Sequence, residues 1–151
     1  MTLLCNSSHK LFNKNEAQTI FKNNERYLNC PFEFDDLIKN DWFFTVINDD
    51  LKTVGICYVL CEMVNGIELP FYSGASYRKH HFDMIKAHEI LLNLLFQSYD
   101  KVFTWTPHLH GKIFNKQAKM VEDKENPHIF YKEKTKWAEE RKNLQACQVH
   151  K

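Results

Sequence analysis

Four consecutive basic side chains lie near the middle of the sequence, within residues 76–83, which read SYRKHHFD. Arg78 and Lys79 are fully charged at neutral pH, and His80 and His81 follow them directly. A helical pattern begins after this basic turn, and the amide groups at a helix start attract anions. The turn is therefore a candidate anion-binding site. The same residues also fit a solvent-exposed helix start that binds nothing, and the sequence alone leaves both interpretations open.

Other residues with catalytic or metal-binding chemistry are few. His108 and His110 alternate and could share a face, and with His80 or His81 they could approach a metal. No spacing typical of a zinc site connects them, so no metal site is predicted. No serine or cysteine stands in a recognisable nucleophile motif. His88 falls among apolar residues at helical spacing and is interpreted as a core residue rather than a catalyst.

The segments around the basic turn are predicted to form a strand, a helix and a second strand. Residues 67–76 (IELPFYSGAS) favour the first strand and residues 102–106 (VFTWT) the second. A helix is predicted over residues 82–98, with Asp83 as its N-cap. Its expected buried stripe consists of Met84, Ala87, His88, Leu91, Leu92 and Leu95. Because two parallel neighbours require a crossover connection, we expect the two strands to be adjacent and parallel.

The rest of the chain is predicted to add an antiparallel meander and short helices. Asn65-Gly66 is the strongest hairpin signal, because both residue types tolerate positive φ. Other strands are predicted at residues 3–5, 42–47, 53–63 and 128–133. Other helices are predicted at residues 15–27, 32–38 and 108–120, and a polar connection at residues 121–126. The first of these helices is expected to be capped by Asn15 and to turn Ala17, Ile20, Phe21 and Tyr27 inward. From about residue 137 the chain is a charged, helix-prone tail. The 151 residues are predicted to form one domain.

Composition narrows the class of protein. Twelve Phe, six Tyr and three Trp argue against general disorder. A net charge of +1 gives no general attraction to nucleic acid or to a membrane surface, so neither partner is expected. No apolar run is long enough to span a bilayer, and no signal-peptide pattern is present. The five Cys lack metal-binding spacing, so we expect reduced thiols and a cytoplasmic location.

The order of these elements resembles that of the GNAT superfamily of N-acetyltransferases over residues 42–132. Residues 42–60 (WFFTVINDDLKTVGICYVL) resemble the second and third strands of the family, residues 67–81 its fourth strand and cofactor loop, and residues 101–120 its fifth strand and the following helix. The resemblance implies an α/β (α+β) fold: a mixed, mostly antiparallel sheet with helices on both faces and one splayed parallel strand pair.

The resemblance also implies that acetyl-CoA lies between the splayed strands. The residues that it implies for cofactor binding are Ser73, Gly74, Ala75 and Ser76 on the strand, and Arg78, Lys79, His80, His81, Phe82 and Asp83 in the loop and helix start. The family loop reads Arg/Gln-x-x-Gly-x-Gly/Ala, whereas His81 and Asp83 stand at its glycine positions here. Lys119-Met120 likewise replaces the usual Gly-Phe step.

Direct acetyl transfer needs a base for the amine and an acid for the leaving thiolate. By resemblance, Glu68 or Glu62 is the candidate base and Tyr131 the candidate acid. Tyr131 also fits an ordinary strand aromatic with no catalytic role, and that alternative stays open.

Two functions follow from the resemblance. The first is an acetyl-CoA-dependent N-acetyltransferase that acts on a protein or a small amine. The second is a catalytically inactive protein of the same fold, because the RKHH turn, the long helix and TWTP are similar to GNAT-like proteins of bacteriophages. Such a protein would act in virion assembly or bind a host protein, and it would be found in the host cytoplasm or the virion. Either function is compatible with a homo-oligomer.

Overall fold

The structure, a computed structural model, describes residues 1–149 of the chain. In chain order its elements are β1 (Leu3–Cys5), α1 (Lys14–Asn23), α2 (Glu25–Leu28), α3 (Phe34–Leu37), β2 (Phe43–Ile47), β3 (Thr53–Val64), β4 (Ile67–Ser76), α4 (His81–Leu95), β5 (Lys101–Trp105), α5 (Leu109–Gln117), β6 (Val121–Glu122), β7 (Ile129–Glu133) and α6 (Lys134–Val149). β6 lies in the segment that was predicted to be a connection. Within the described residues, no helix has the length and apolar character needed to cross a bilayer.

The strands form one seven-stranded sheet in the order β1-β2-β3-β4-β5-β7-β6. Every neighbouring pair is antiparallel except β4 and β5, which are parallel and meet at Phe71 and Phe103. α4 is the crossover between these two strands, as a parallel pair requires. The predicted mixed sheet with one parallel strand pair is confirmed.

A tight turn fixes the register of the central hairpin. Asn65 has φ of 51° and Gly66 has φ of 78°, the left-handed conformations that a two-residue hairpin loop of this kind needs. β3 and β4 then pair continuously from Val64 opposite Ile67 to Gly55 opposite Ser76. This long hairpin holds the second half of β4 in place next to the basic turn.

Both faces of the sheet are covered by helices, as predicted. On the face covered by α1 and α3, the buried cluster consists of Ala17, Ile20, Phe21, Phe34, Leu37, Phe43, Ile56 and Tyr58. On the face covered by α4, it consists of Val46, Val54, Cys57, Val59, Tyr72, Met84, Ala87, Leu91, Leu92, Leu95, Phe96, Val102, Met120 and Phe130. Alternate strand positions supply the two clusters, because successive side chains of a strand point to opposite faces.

α4 buries the predicted stripe, and all six of its residues are buried. The predicted N-cap is wrong, because His80 occupies that position and its side chain makes no capping hydrogen bond. The Asp83 carboxylate instead accepts a hydrogen bond from Thr2 Oγ1 at 3.4 Å. It also lies 3.5 Å from Nδ1 of His80. A contact with the segment before β1 therefore uses the carboxylate that the sequence had suggested as a cap.

The first helix also has a different cap from the one predicted. The side chain of Asn13, not that of Asn15, accepts a hydrogen bond from the backbone N–H of Glu16 at 3.1 Å. α1 ends before Asn24, and α2 follows as a separate turn. Tyr27, which was predicted to face inward, is 38% exposed as a result.

β7 leads directly into α6, so the last helix starts at Lys134, earlier than the predicted tail. The buried Lys132 ammonium donates to Glu140 Oε2 at 2.7 Å and to the backbone oxygen of Lys119 at 3.1 Å. These bonds hold the first turns of α6 against the end of α5. The final part of the predicted tail, residues 150–151, lies outside the described residues.

Replacing Lys119 by glycine should stabilise the protein. Lys119 has φ of 59° just after α5, a conformation that is strained for a residue with a Cβ and free of strain for glycine. We expect the free energy of unfolding to rise by roughly 0.5–1 kcal/mol in urea denaturation. Lys116→Gly, inside α5, is the matched control and should lower it by about 1 kcal/mol. Equal losses in the two variants would contradict the prediction.

Candidate functional site

β4 and β5 pair at one position and then separate. Within the described residues, β4 and β5 pair only at Phe71 and Phe103. Beyond this pair, β4 continues to Ser76 and β5 to Trp105. Beyond that contact a cleft of about 680 Å³ opens, a volume typical of small-molecule sites. In the part of the chain that the structure describes, no strand pairs with the edge of β4 that faces the cleft, so its backbone groups are available to a ligand.

Most of the predicted cofactor-binding residues line this cleft: Ser73, Gly74, Ala75, Ser76, Arg78, Lys79, His80 and His81. Phe82 and Asp83 are not among the lining residues. The Phe82 side chain is 83% exposed, and the Asp83 carboxylate contacts Thr2 and His80. The structure thus brings together the strand and turn residues but not the second and third residues of α4.

The basic turn places positive charge next to an uncapped helix start. Lys79 has φ of 72° and turns the chain into α4. The first amide groups of a helix lack intrahelical partners, and His80 supplies no side-chain bond to those of α4. The Arg78 and Lys79 side chains are exposed. Together these features favour the binding of an anion at one end of the cleft.

A buried polar corner forms where α5 begins. The Nδ1 atom of His108 accepts a hydrogen bond from the backbone N–H of Gly111 at 3.1 Å. A Cβ at Gly111 would lie 2.2 Å from Cγ2 of Thr106 and 2.7 Å from Cε1 of His108, so this close approach requires glycine. Asn115 Nδ2 donates to Thr106 Oγ1 at 3.0 Å, and both side chains are buried. The corner therefore presents fixed hydroxyl, amide and imidazole groups to the cleft.

Two titratable groups of the cleft are held in their neutral forms. Burial, together with the neighbouring His110, lowers the pKa of His108. Because its Nδ1 atom accepts from Gly111, the neutral His108 ring carries its proton on Nε2 and can donate from there. The pKa of Tyr77 is raised to about 12, mainly by its hydrogen bond to Glu16 and to a smaller extent by burial. The cleft thus offers neutral hydrogen-bonding groups beside the charged turn.

Comparison with known proteins gives structural matches only. No protein-family model matches the sequence, and no curated protein matches it. An acetyltransferase from Agrobacterium tumefaciens has a similar structure, with a TM-score of 0.66 and 8% identity over 88% of this chain and 91% of that chain. Mutant forms of a spermidine/spermine N-acetyltransferase from Vibrio cholerae match with a TM-score of 0.61 and 11% identity, over 93% of this chain and 98% of that chain. An aminoglycoside acetyltransferase in complex with coenzyme A matches with a TM-score of 0.62 and 10% identity, over 93% of this chain and 99% of that chain. The chain has the GNAT fold.

In this GNAT fold, the two residues suggested as base and acid lie outside the lining of the cleft. Glu68 is exposed near the start of β4 and accepts a hydrogen bond from Tyr99 at 3.0 Å. Tyr131 stands opposite Phe103 in the sheet, and Lys101 Nζ lies 4.0 Å from the centre of its ring. Alternation along the strands puts Glu68 and Tyr131 on opposite faces of the sheet. The structure does not bring them together.

Other residues at the GNAT cleft could not be identified from the sequence. Tyr27, Thr106 and Asn115 line it, and they come from α2, from the connection after β5 and from α5. The ring centroids of Tyr27 and His108 lie 5.1 Å apart, which connects α2 to the start of α5. The sequence held one signal for these residues, because Asn115 is a polar residue within a partly apolar helix. His108 and His110 do not converge with a third metal-binding side chain in the part of the chain that the structure describes.

Proposed function

We propose that this chain is an acetyl-CoA-dependent N-acetyltransferase that acts on an amine. The observation that carries the proposal is the cleft between the separating ends of β4 and β5, with the basic turn and the uncapped start of α4 beside it. The GNAT fold supports it, because the structural neighbours described above are acetyltransferases and one is in complex with coenzyme A.

The cofactor is proposed to lie along β4 with its pyrophosphate over residues 78–83. Arg78 and Lys79 supply positive charge, and the first amides of α4 supply N–H donors. The unpaired edge of β4 at residues 73–76 supplies hydrogen bonds to the pantetheine arm. The Asp83 carboxylate would repel phosphate, but its contacts with Thr2 and His80 keep it out of the cleft lining.

The proposed reaction joins an amine directly to the acetyl group. The amine nitrogen attacks the thioester carbonyl carbon, so a C–N bond forms and the C–S bond breaks. The amine loses one proton, and the sulfur of coenzyme A gains one. Amide groups of β4 would stabilise the oxyanion that develops on the carbonyl. A cysteinyl intermediate is not part of this route, because burial raises the pKa of the nearby Cys57 thiol to about 12.

Arg78→Ala should weaken the binding of acetyl-CoA. The variant removes an exposed cation that is proposed to contact the pyrophosphate, so we expect roughly a tenfold rise in Kd, or about 1.4 kcal/mol. The loss should shrink as salt is added, because the contact is screened by mobile ions. Isothermal titration calorimetry with acetyl-CoA measures both effects.

Lys86→Ala is the matched control for Arg78→Ala. Lys86 is exposed on α4 and does not line the cleft, so its loss should leave the Kd nearly unchanged. Equal weakening in both variants would mean that net charge alone attracts the ligand. If the parent protein shows no heat of binding at millimolar acetyl-CoA, the proposed function is wrong.

A second candidate function is favoured by one observation. His81 and Asp83 occupy positions where the family loop carries glycine, and side chains there restrict the approach of phosphate to backbone amides. A GNAT-fold protein without acetyl transfer, acting in virion assembly or binding a host protein, is consistent with that loss. The same calorimetric experiment separates the two functions, because only the enzyme needs the cofactor.

A further inference from the structure

No carboxylate lines the cleft among the residues that the structure describes. Its ionisable lining residues are instead bases or tyrosines, and the bases are Arg78, Lys79, His80, His81, His108 and His110. Two acidic residues of neighbouring segments are engaged by other side chains: Asp83 by Thr2 and Glu16 by Tyr77. A ligand with several positive charges would find no counter-charge in this lining.

Apolar and aromatic groups line the part of the cleft formed by α2, β5 and α5. This part, termed the aromatic mouth, consists of Tyr27, Trp105, His108 and Ile113. Three of these side chains remain substantially exposed, Tyr27 at 38%, Trp105 at 43% and Ile113 at 46%. Large apolar groups left exposed at a concave site indicate the burial of an apolar ligand surface.

A cation of the chain itself already lies over one ring of the aromatic mouth. Aromatic rings can attract ammonium groups, so Tyr27 alone would be compatible with a polyamine. The guanidinium carbon of Arg26, however, lies 4.6 Å from the centre of the Tyr27 ring, and Arg26 also donates to the tyrosine oxygen. One face of the Tyr27 ring is therefore already covered by a guanidinium group and is not free to bind the ammonium group of a ligand.

We propose that the acceptor is a monoamine carried on an aromatic or apolar body without a second positive charge. The inference rests on the proposed function and adds the substrate class of the same cleft. It separates this chain from two of its structural neighbours, which are a spermidine/spermine N-acetyltransferase and an aminoglycoside acetyltransferase.

The charges of the cleft also bear on how the amine becomes a nucleophile. Only the neutral amine attacks a thioester, and nearby cations and burial both lower the pKa of an amine. A cleft without a lining carboxylate offers no ion-pair partner to a protonated amine, and it therefore favours the neutral form of the bound amine. An acceptor with one amine needs to lose one proton, whereas a polyamine would keep further positive charges that no lining carboxylate balances.

The test starts with the cofactor and then compares acceptors. Calorimetry with acetyl-CoA on the full chain establishes whether the cofactor binds. The release of the coenzyme A thiol is then followed at neutral pH with 2-phenylethylamine, tryptamine, spermidine and kanamycin as acceptors. We expect kcat/KM for the two aromatic monoamines to exceed that for both polycations by about tenfold or more.

A charge placed in the aromatic mouth should shift this preference. Ile113 is exposed on α5 and lines the cleft, so both Ile113→Glu and Ile113→Gln should fold. Ile113→Glu should lower the ratio of kcat/KM for the aromatic amines to kcat/KM for spermidine by about tenfold relative to Ile113→Gln. The glutamine variant adds polarity without charge. Circular dichroism of both variants checks that the helix is retained.

The possible outcomes separate the two proposals. If acetyl-CoA binds and a polycation is acetylated as well as the aromatic amines, the acceptor class is wrong and the proposed function stands. If acetyl-CoA binds and no amine of the panel is acetylated, the acceptor class is also wrong. If acetyl-CoA does not bind, the proposed function fails, and the acceptor class fails with it.

Discussion

Leu91→Ala should lower the free energy of unfolding by about 2–5 kcal/mol. Leu91 lies in the middle of α4, is 1% exposed, and packs into the cluster that joins this helix to the sheet. Truncation removes buried apolar surface and leaves a cavity that the surrounding strands cannot fill. Urea denaturation monitored by far-ultraviolet circular dichroism gives the change directly.

Leu94→Ala is the matched control on the same helix. Leu94 is 38% exposed, so its truncation removes less buried surface and should cost under about 1 kcal/mol. Both substitutions have the same helix propensity change, which cancels in the comparison. Equal midpoints for Leu91→Ala and the parent protein would show that this face of α4 is not the buried one.

The second large effect concerns acid stability and His88. Burial is the main cause that lowers the pKa of His88 to about 3, and the nearby Lys132 charge adds to it. Among the described residues, neither ring nitrogen of His88 has a hydrogen-bond partner. The ring packs against Tyr72 and Phe114. In the unfolded chain the pKa returns to about 6.5, so below that pH the unfolded state binds the extra proton. Stability should therefore fall by up to about 1.4 kcal/mol for each unit as pH drops from 6.5 towards 3.

His88→Leu should flatten this acid dependence. Leucine fills a similar volume without a titratable group, so the variant should lose less stability between pH 6.5 and 4 than the parent. Every other titratable group is common to the two proteins, so the difference between their slopes isolates His88. Denaturant midpoints measured across that range decide the matter. Parallel slopes for the parent and His88→Leu would contradict a neutral, buried His88.

The elements were predictable wherever local pattern and tertiary packing agree. The apolar stripe of α4 and the Asn65-Gly66 turn each depend on a few neighbouring residues, and both appear in the structure as predicted. The caps were less predictable. Asp83 satisfies the local rule for a cap but is used by Thr2, a residue far away in the sequence. A long-range contact of this kind leaves no trace in local spacing.

The cleft was predictable on the β4 side and not on the other. Residues 73–81 follow one another in the chain, so a resemblance over one segment could place them together. Tyr27, Trp105 and Asn115 come from α2, β5 and α5 and meet only because the sheet order brings those elements together. Glu68 and Tyr131 show the reverse case, since suitable chemistry in the sequence does not ensure a shared face of the sheet.

The single contact between β4 and β5 also affects how the molecule opens. Within the described residues, one residue pair connects the ladder of β1–β4 to that of β5–β7. The backbone hydrogen bonds of the sheet therefore form two nearly independent sets, and side chains packed under α4 hold the two together. Local opening can involve one set while the other stays intact. A molecule seated between β4 and β5 would bond to both sets, so its binding would also make the two halves unfold more nearly as one cooperative unit.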